Sequence, residues 1–324
     1  MRYRALGHSG LKVSVIGIGS WLTFGNSVDR DTSRACILAA WEAGVNFIDT
    51  ANVYAKGAAE ETLAPIVREL NRDALVLATK VYFPMGDSVN ERGLSRKHIH
   101  DQVHHSLRRL GVEYIDLYQC HRYSTSTPLE ETCEMMNDLI RAGKVLYWGV
   151  SEWNADQIVA AVTLCRARGW AVPISNQPQY SALWRRIEAR VLPVCDEYGL
   201  GNVVWSPLAM GILTGKYTDT AHPPAGTRAA GPYRDMMEEY LTQPVLDAVQ
   251  RLQPLASQAG ISMSQLALAW VLRQPAVTSA IVGATNPAHV KDNVGAAEVK
   301  LGDDLIAQID RVLSPVAPNE PYLA

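Results

Sequence analysis

Phe47-Ile48-Asp49-Thr50-Ala51-Asn52-Val53-Tyr54, Leu77-Ala78-Thr79-Lys80 and Asp116-Leu117-Tyr118-Gln119-Cys120-His121 are the stretches whose reading decides the fold. Each is an apolar run of strand length that stops on an ionisable group. In a parallel α/β barrel the carboxyl ends of the strands converge on one mouth, and chemistry collects there. The three runs would bring an acid, a phenol, an amine and an imidazole (Asp49, Tyr54, Lys80, His121) to that mouth. Taken singly, each residue has a plainer reading: a solvated anchor for Asp or Lys, packing for Tyr, a strand cap for His. Their joint occurrence, in order, at three successive strand ends favours a shared site.

On both sides of these runs the chain alternates strand and helix. Tyr3-Arg4-Ala5-Leu6 and Lys12-Val13-Ser14-Val15 flank His8-Ser9-Gly10, which is hairpin chemistry suited to covering the closed end of a barrel. Val15–Gly19 predicts a first barrel strand. A helix follows from Asp31 to Ala43, with Asp31 as N-cap and Gly44 past its end. The remaining strands are expected at Asn46–Asp49, Leu75–Thr79, Tyr114–Cys120, Val145–Val150, Pro173–Asn176, Asn202–Trp205 and Ser279–Val282. Between them, helices are predicted at Ala58–Glu69, from a Ser95 cap through Arg109, and from Thr127-Pro128-Leu129-Glu130, which reads as a capping box with Pro in the first turn. Others begin at Asn154 with Gln157, and span Ile187–Tyr198, Val245–Ala259, Ser264–Arg273, Pro287–Val294 and Asp303–Val312. Residues 209–243, with Pro223, Pro224, Gly226, Gly231 and Pro232, break the rhythm and read as a functional loop. The expectation is one (β/α)8 TIM barrel over 1–324, its bottom closed by the N-terminal hairpin and its mouth carrying long loops.

Composition agrees. A chain of 324 residues with 48% hydrophobic and 19% charged residues has ample material for a core. The net charge of −3 gives no electrostatic case for nucleic acid or an anionic membrane as partner. No apolar stretch approaches the ~20 residues of a membrane helix, and the N-terminus lacks a signal-peptide core. The five cysteines are scattered and odd in number, which predicts buried reduced thiols and a cytoplasmic setting.

The four residues suggest a mechanism. A phenol with its usual pKa near 10 donates poorly at neutral pH, and an adjacent ammonium, Lys80, would lower that value. Asp49 would fix Lys80, and His121 would orient a substrate oxygen. Such a set polarises a carbonyl and delivers a proton to it. It contains no electron-pair donor, so a nicotinamide hydride donor is implied.

Further motifs identify a family. Tyr3-Arg4, Leu6-Gly7 and Ser9-Gly10-Leu11, then Trp21-Leu22-Thr23-Phe24-Gly25, Glu91-Arg92-Gly93-Leu94-Ser95-Arg96-Lys97-His98-Ile99 and Trp205-Ser206-Pro207-Leu208-Ala209, resemble the aldo-keto reductases over essentially the whole chain. The branch containing the voltage-gated potassium channel β subunits and their bacterial relatives is the most similar. The resemblance implies that Tyr54 is the general acid, with Asp49, Lys80 and His121 as partners. Channel β subunits carry Asn at the fourth position; His121 matches ordinary enzymes of the family. Arg122-Tyr123-Ser124 departs from the commoner Arg-Pro-Asp.

The same resemblance places NADP(H) against Trp21, Ser151, Gln177, Trp205, Ser206, Pro207, Leu208 and Gly211. Glu152 stands where many relatives have Asn. Lys216 and Arg228 on the long loop, with Gly283 and Thr285 before a helix start, are the implied phosphate contacts. His289, Asp292 and Asn293 match positions at the adenosine end. Trp21, Tyr82, Phe83 and Met85 suggest a substrate pocket for small aldehydes or ketones. Relatives of this branch form homo-oligomers. Two functions remain in view: an NADP-dependent carbonyl reductase, and a redox-sensing subunit that holds NADPH and regulates a protein partner. Other readings are weaker. Gly17-Ile18-Gly19-Ser20-Trp21-Leu22 lacks the third glycine of a dinucleotide motif, and no Tyr has Lys four residues on. His100 and His104, one helical turn apart, have no evident third metal ligand and read as a solvated face, so no metal is expected.

Overall fold

The computed structural model of the chain describes residues 1–319. Two short strands come first, β1 (Tyr3–Ala5) and β2 (Lys12–Ser14), paired antiparallel with Tyr3 opposite Ser14. The turn between them requires Gly7 at φ 58°, where a Cβ would fall 2.3 Å from Gly199 O. Eight more strands follow: β3 (Ile16–Gly19), β4 (Phe47–Asp49), β5 (Val76–Val81), β6 (Ile115–Cys120), β7 (Val145–Ser151), β8 (Ser175–Gln177), β9 (Gly201–Val204) and β10 (Val277–Val282). All pair in parallel, in sequence order, and β10 closes on β3. Parallel neighbours need crossovers. These are supplied by α1 (Arg30–Glu42), α2 (Ala58–Glu69), α3 (Arg96–Leu110), α4 (Leu129–Arg141), α5 (Ala155–Arg168), α6 (Val191–Tyr198), and the trio α7 (Gln243–Gln250), α8 (Gln253–Gln258) and α9 (Met263–Leu272). After β10 come α10 (Pro287–Gly295) and α11 (Asp303–Leu313). This is the expected (β/α)8 barrel.

The hairpin fills the amino end. Leu6 and Val13 are fully buried against Phe47, Val76, Ala78, Leu117, Val203 and Ile281 inside the barrel. A second, larger core lies between the strands and the helix ring. With apolar groups occupying one end, the polar strand termini are left for the other. Among the described residues no single helix is long and apolar enough to cross a membrane, and all five cysteines are buried as free thiols.

Several boundaries differ from expectation for identifiable reasons. Helix α1 is capped by Asp29, whose Oδ1 accepts Thr32 N at 2.7 Å, so Asp31 sits in the first turn instead. At α4 the cap is Pro128 without a side-chain bond; Thr127 Oγ1 instead accepts from Ser124 Oγ at 2.9 Å. The Asn154–Gln157 capping box forms as predicted. Helix α6 starts at Val191, which puts Pro193 in the first turn, where backbone N–H groups have no helical acceptor anyway. The single helix expected over 245–259 is two, divided just before Pro254, whose ring disfavours helix at the preceding turn. The long 209–243 segment carries three 3-10 turns: Ala209–Thr214, Arg228–Ala230 and Arg234–Met237.

Candidate active site

Asp49 ends β4, Lys80 is the penultimate residue of β5 and His121 follows β6. Register sets Asp49 opposite Ala78 and Lys80 opposite Gln119. Side chains alternate along a strand, so Lys80 shares the inward face with Ala78, and His121 shares it with Gln119 and Leu117. Lys80 Nζ donates to Asp49 Oδ2 at 2.5 Å, to Thr50 O at 2.8 Å and to Tyr54 Oη at 3.3 Å. Each of its three protons therefore has an acceptor. The other carboxylate oxygen, Asp49 Oδ1, accepts from Gln177 Nε2 at 2.8 Å and Gln119 Nε2 at 3.3 Å. Tyr54 reaches the group from a 3-10 turn, Tyr54–Gly57, in which Ala55 and Lys56 take φ 48° and 52°. Its ring meets His121 edge-on, 5.7 Å between centroids.

The electrostatics follow from burial. Lys80 and Asp49 expose 0% and 4% of their side chains. Such a pair repays its desolvation only when every remaining donor and acceptor is satisfied, as here. Burial alone would lower the Lys80 pKa, but Asp49 and Tyr54 outweigh it and hold the ammonium charged. Tyr54 corrects the sequence expectation of an acidified phenol. Burial of the hydroxyl, with a contribution from Asp49, pushes its pKa up, and Lys80 offsets only part of that. The phenol is thus protonated at rest, with a cation placed to stabilise the phenolate once the proton leaves. His121 is pushed well below the ordinary histidine value by burial, with Lys80 and Arg122 adding to the shift, so the imidazole is neutral. Its Nδ1 is buried with no partner among the described residues.

Around this centre the expected residues divide. Trp21 and Trp205 meet edge-on at 5.8 Å. Phe83 packs against His121 at 4.8 Å and Tyr82 against Phe83 at 5.3 Å. Met85 contributes its backbone N–H to Glu91 O at 3.0 Å. Ser151 Oγ donates to Gln177 O at 2.9 Å, tying β7 to β8. Glu152, which sequence reasoning set aside, accepts Gln179 N at 2.6 Å and Trp205 Nε1 at 2.7 Å from a backbone at φ 56°. It fixes the indole, and burial raises its pKa. Gln119 was also missed, although it lies two residues before His121 on the same face.

Beyond β9 the backbone enters the left-handed region repeatedly, at Ser206, Ala209, Met210 and Gly211. Among the described residues the other non-glycine residues there are Leu22, Ala55, Lys56 and Glu152, and all seven lie past the carboxyl ends of barrel strands. Strain of this kind collects where a loop is shaped for a ligand. The segment is locked internally: Met210 N donates to Ser206 Oγ at 3.1 Å, and Gly211 N donates to Leu208 O at 2.9 Å. Pro207 is buried between them. Arg228 donates to Met210 Sδ at 3.0 Å and pairs with no carboxylate among the described residues; burial lowers its pKa. Lys216 is exposed near Gly211, with its Nζ 5.2 Å from the Tyr217 ring centroid. A cradle with two cations, neither ion-paired to a carboxylate among the described residues, fits a phosphate-bearing cofactor. On the far side, Gly283, Thr285 and His289 are exposed. Asn293 is buried, and Asp292 Oδ2 is taken by Ser262 Oγ at 2.9 Å.

A groove of about 910 Å³ runs outside the barrel between α3 and α4, and no member of the tetrad lines it. His100 and His104 lie there with rings 4.4 Å apart, and His104 Nδ1 bonds His100 O at 2.8 Å. Internal ion pairs such as Arg96–Glu134, at 2.6 Å, occupy its charges. The convergent polar groups lie instead at the carboxyl mouth.

A family model described as "Aldo/keto reductase family" matches residues 15–314. The chain is similar to a probable voltage-gated potassium channel subunit beta of Oryza sativa subsp. japonica, 41% identical over 318 residues, 97% of each chain. It is 41% identical over 302 residues to a probable subunit of the same name from Arabidopsis thaliana, 92% of each chain. A putative channel subunit beta of Schizosaccharomyces pombe is 40% identical over 322 residues, 96% of this chain and 93% of the relative.

Proposed function

This chain belongs to the aldo/keto reductase family of oxidoreductases, and we propose that it is an NADP(H)-dependent carbonyl reductase acting on small aldehydes or ketones. The observation that carries the reading is Lys80 Nζ bridging Asp49 Oδ2 and Tyr54 Oη at 2.5 and 3.3 Å. The overall change is carbonyl plus NADPH plus a proton giving alcohol plus NADP⁺. When bound, the reduced nicotinamide supplies the hydride. The chain's residues do the rest. Neutral His121 and the Tyr54 hydroxyl hold the carbonyl oxygen. As charge builds on that oxygen, Tyr54 Oη gives up its proton, and Lys80 stabilises the phenolate left behind. Asp49, held by Gln119 and Gln177, keeps Lys80 charged and aimed. Solvent then reprotonates the phenolate. Trp21 and Trp205, the latter anchored by Glu152, wall the mouth, while Arg228 and Lys216 support NADP(H) over NAD(H) by offering cations to its additional phosphate. Steady-state consumption of NADPH and NADH with a panel of small aldehydes and ketones tests this. Turnover faster with NADPH is expected; no turnover with any carbonyl would refute it.

A second reading draws on the relatives' names: a subunit that holds NADPH and reports its redox state to a protein partner. It predicts tight cofactor binding, negligible turnover over the same panel and a stable protein complex. The neutral, buried His121 beside the Tyr54 ring supports the enzyme.

A further inference from the structure

One cation at the mouth has no counterion among the described residues and no part in the chemistry described so far. Arg122 follows His121 on the loop leaving β6. Its Nη1 donates to His121 O at 2.6 Å, and its guanidinium lies over the Phe83 ring, 5.3 Å from the centroid. Phe83 in turn packs edge-on against His121, at 4.8 Å. Guanidinium, phenyl and imidazole thus form a row that leads to Tyr54. Arg122 is half-buried, and no carboxylate of the described residues pairs with it. The nearby carboxylates are engaged elsewhere: Asp49 with Lys80, Gln119 and Gln177, and Glu152 with Gln179 and Trp205. Its field still reaches the centre, since it helps to lower the pKa of His121 and offsets part of the rise at Glu152 and at Tyr54.

A guanidinium against an aromatic face is weakly hydrated and keeps its donors in a planar fork. No Arg122 nitrogen is among the buried unpartnered atoms of the described residues, so its remaining donors face the open mouth, where an anion can take them. One fork matches a carboxylate through two parallel N–H···O bonds. We infer that Arg122 is the specificity-determining residue of the site, and that its preferred substrates are oxo acids, small carbonyl compounds whose carbonyl sits at Tyr54 while a carboxylate reaches Arg122. The inference rests on the carbonyl-reductase reading.

The test compares 4-oxobutanoate with its methyl ester, which has the same skeleton and aldehyde but no charge. Glyoxylate and 5-oxopentanoate vary the reach. kcat/KM is measured with NADPH for the native protein, Arg122→Met and Arg122→Lys, and binding of unreactive butanedioate is followed by calorimetry. The native protein is expected to favour the best oxo acid over the ester by roughly 10- to 100-fold. Arg122→Met removes that preference and weakens butanedioate, leaving the ester within about threefold; Arg122→Lys restores part of both. Equal rates for acid and ester in the native protein, or an equal loss of both in Arg122→Met, would overturn the inference. Reduction of neutral aldehydes but of no oxo acid would sink it while leaving the reductase reading intact. Failure to reduce any carbonyl would sink the reductase reading itself, and the butanedioate titration then decides alone whether Arg122 holds a carboxylate.

Discussion

Lys80→Met is the perturbation that bears hardest on the buried pair. It leaves Asp49, 4% exposed, without its 2.5 Å partner. Breaking a buried pair on one side costs about 3–5 kcal/mol. Asp49 keeps the Gln119 and Gln177 donors, so the lower end applies, about 3 kcal/mol. Asp49→Asn strands the ammonium with Thr50 O and the Tyr54 hydroxyl and should cost about as much. In the double variant no buried charge is left uncompensated, and the loss should be about 1–3 kcal/mol, well short of the ~6 kcal/mol the single losses sum to. A coupling of about 3–5 kcal/mol follows. Urea unfolding of the four proteins, followed by far-ultraviolet circular dichroism, measures it, with single-variant melting shifts of about 4 °C as a check. A double variant that loses the full sum, with coupling below about 0.5 kcal/mol, would show that the two charges do not depend on one another.

The remaining predictions concern charge and cofactor. His121 is neutral in the fold, so below pH 6.5 the unfolded chain takes up a proton that the folded site refuses. Stability should fall as pH drops from 6.5, by up to about 1.4 kcal/mol per pH unit, with His98 and His105 adding the same sign because burial lowers them too. His121→Gln should flatten that slope in urea titrations at several pH values; an unchanged slope would contradict a neutral imidazole. Arg228→Met should weaken NADPH binding by roughly 10- to 100-fold and NADH binding only slightly, read by calorimetry; equal losses would remove Arg228 from phosphate recognition. Because Tyr54 lies above 10.0, the rate of carbonyl reduction should hold through neutral pH and fall only beyond that value. A fall near pH 8 in the steady-state profile would restore the acidified phenol.

The barrel was legible because each strand is a short apolar run stopped by a polar residue, and because the Asn154–Gln157 capping box is a clear local signal. Cap identity was not legible where two residues of the right type compete. Asp29 and Asp31 both qualify, and only the path of the preceding loop decides between them. Proline placement moved the starts and breaks of α6, α7 and α8, an effect visible in sequence only once the helix frame is known. The tetrad was legible from residue type at strand ends. Its state of charge was not, because the balance between burial and Lys80 at Tyr54 depends on how closely the mouth surrounds the hydroxyl. Gln119 was within reach of period-two reasoning from His121. Glu152 was not, since its bond to Trp205 joins strand ends 53 residues apart.

The most direct measurement sets turnover against cofactor binding in Tyr54→Phe, which deletes one hydroxyl and leaves Lys80, Asp49 and His121 in place. NADPH should bind with native affinity while carbonyl-dependent NADPH oxidation drops by at least about a hundredfold. Oxidation at the native rate would show that the proton comes from another group and that the phenol beside Lys80 is not the acid.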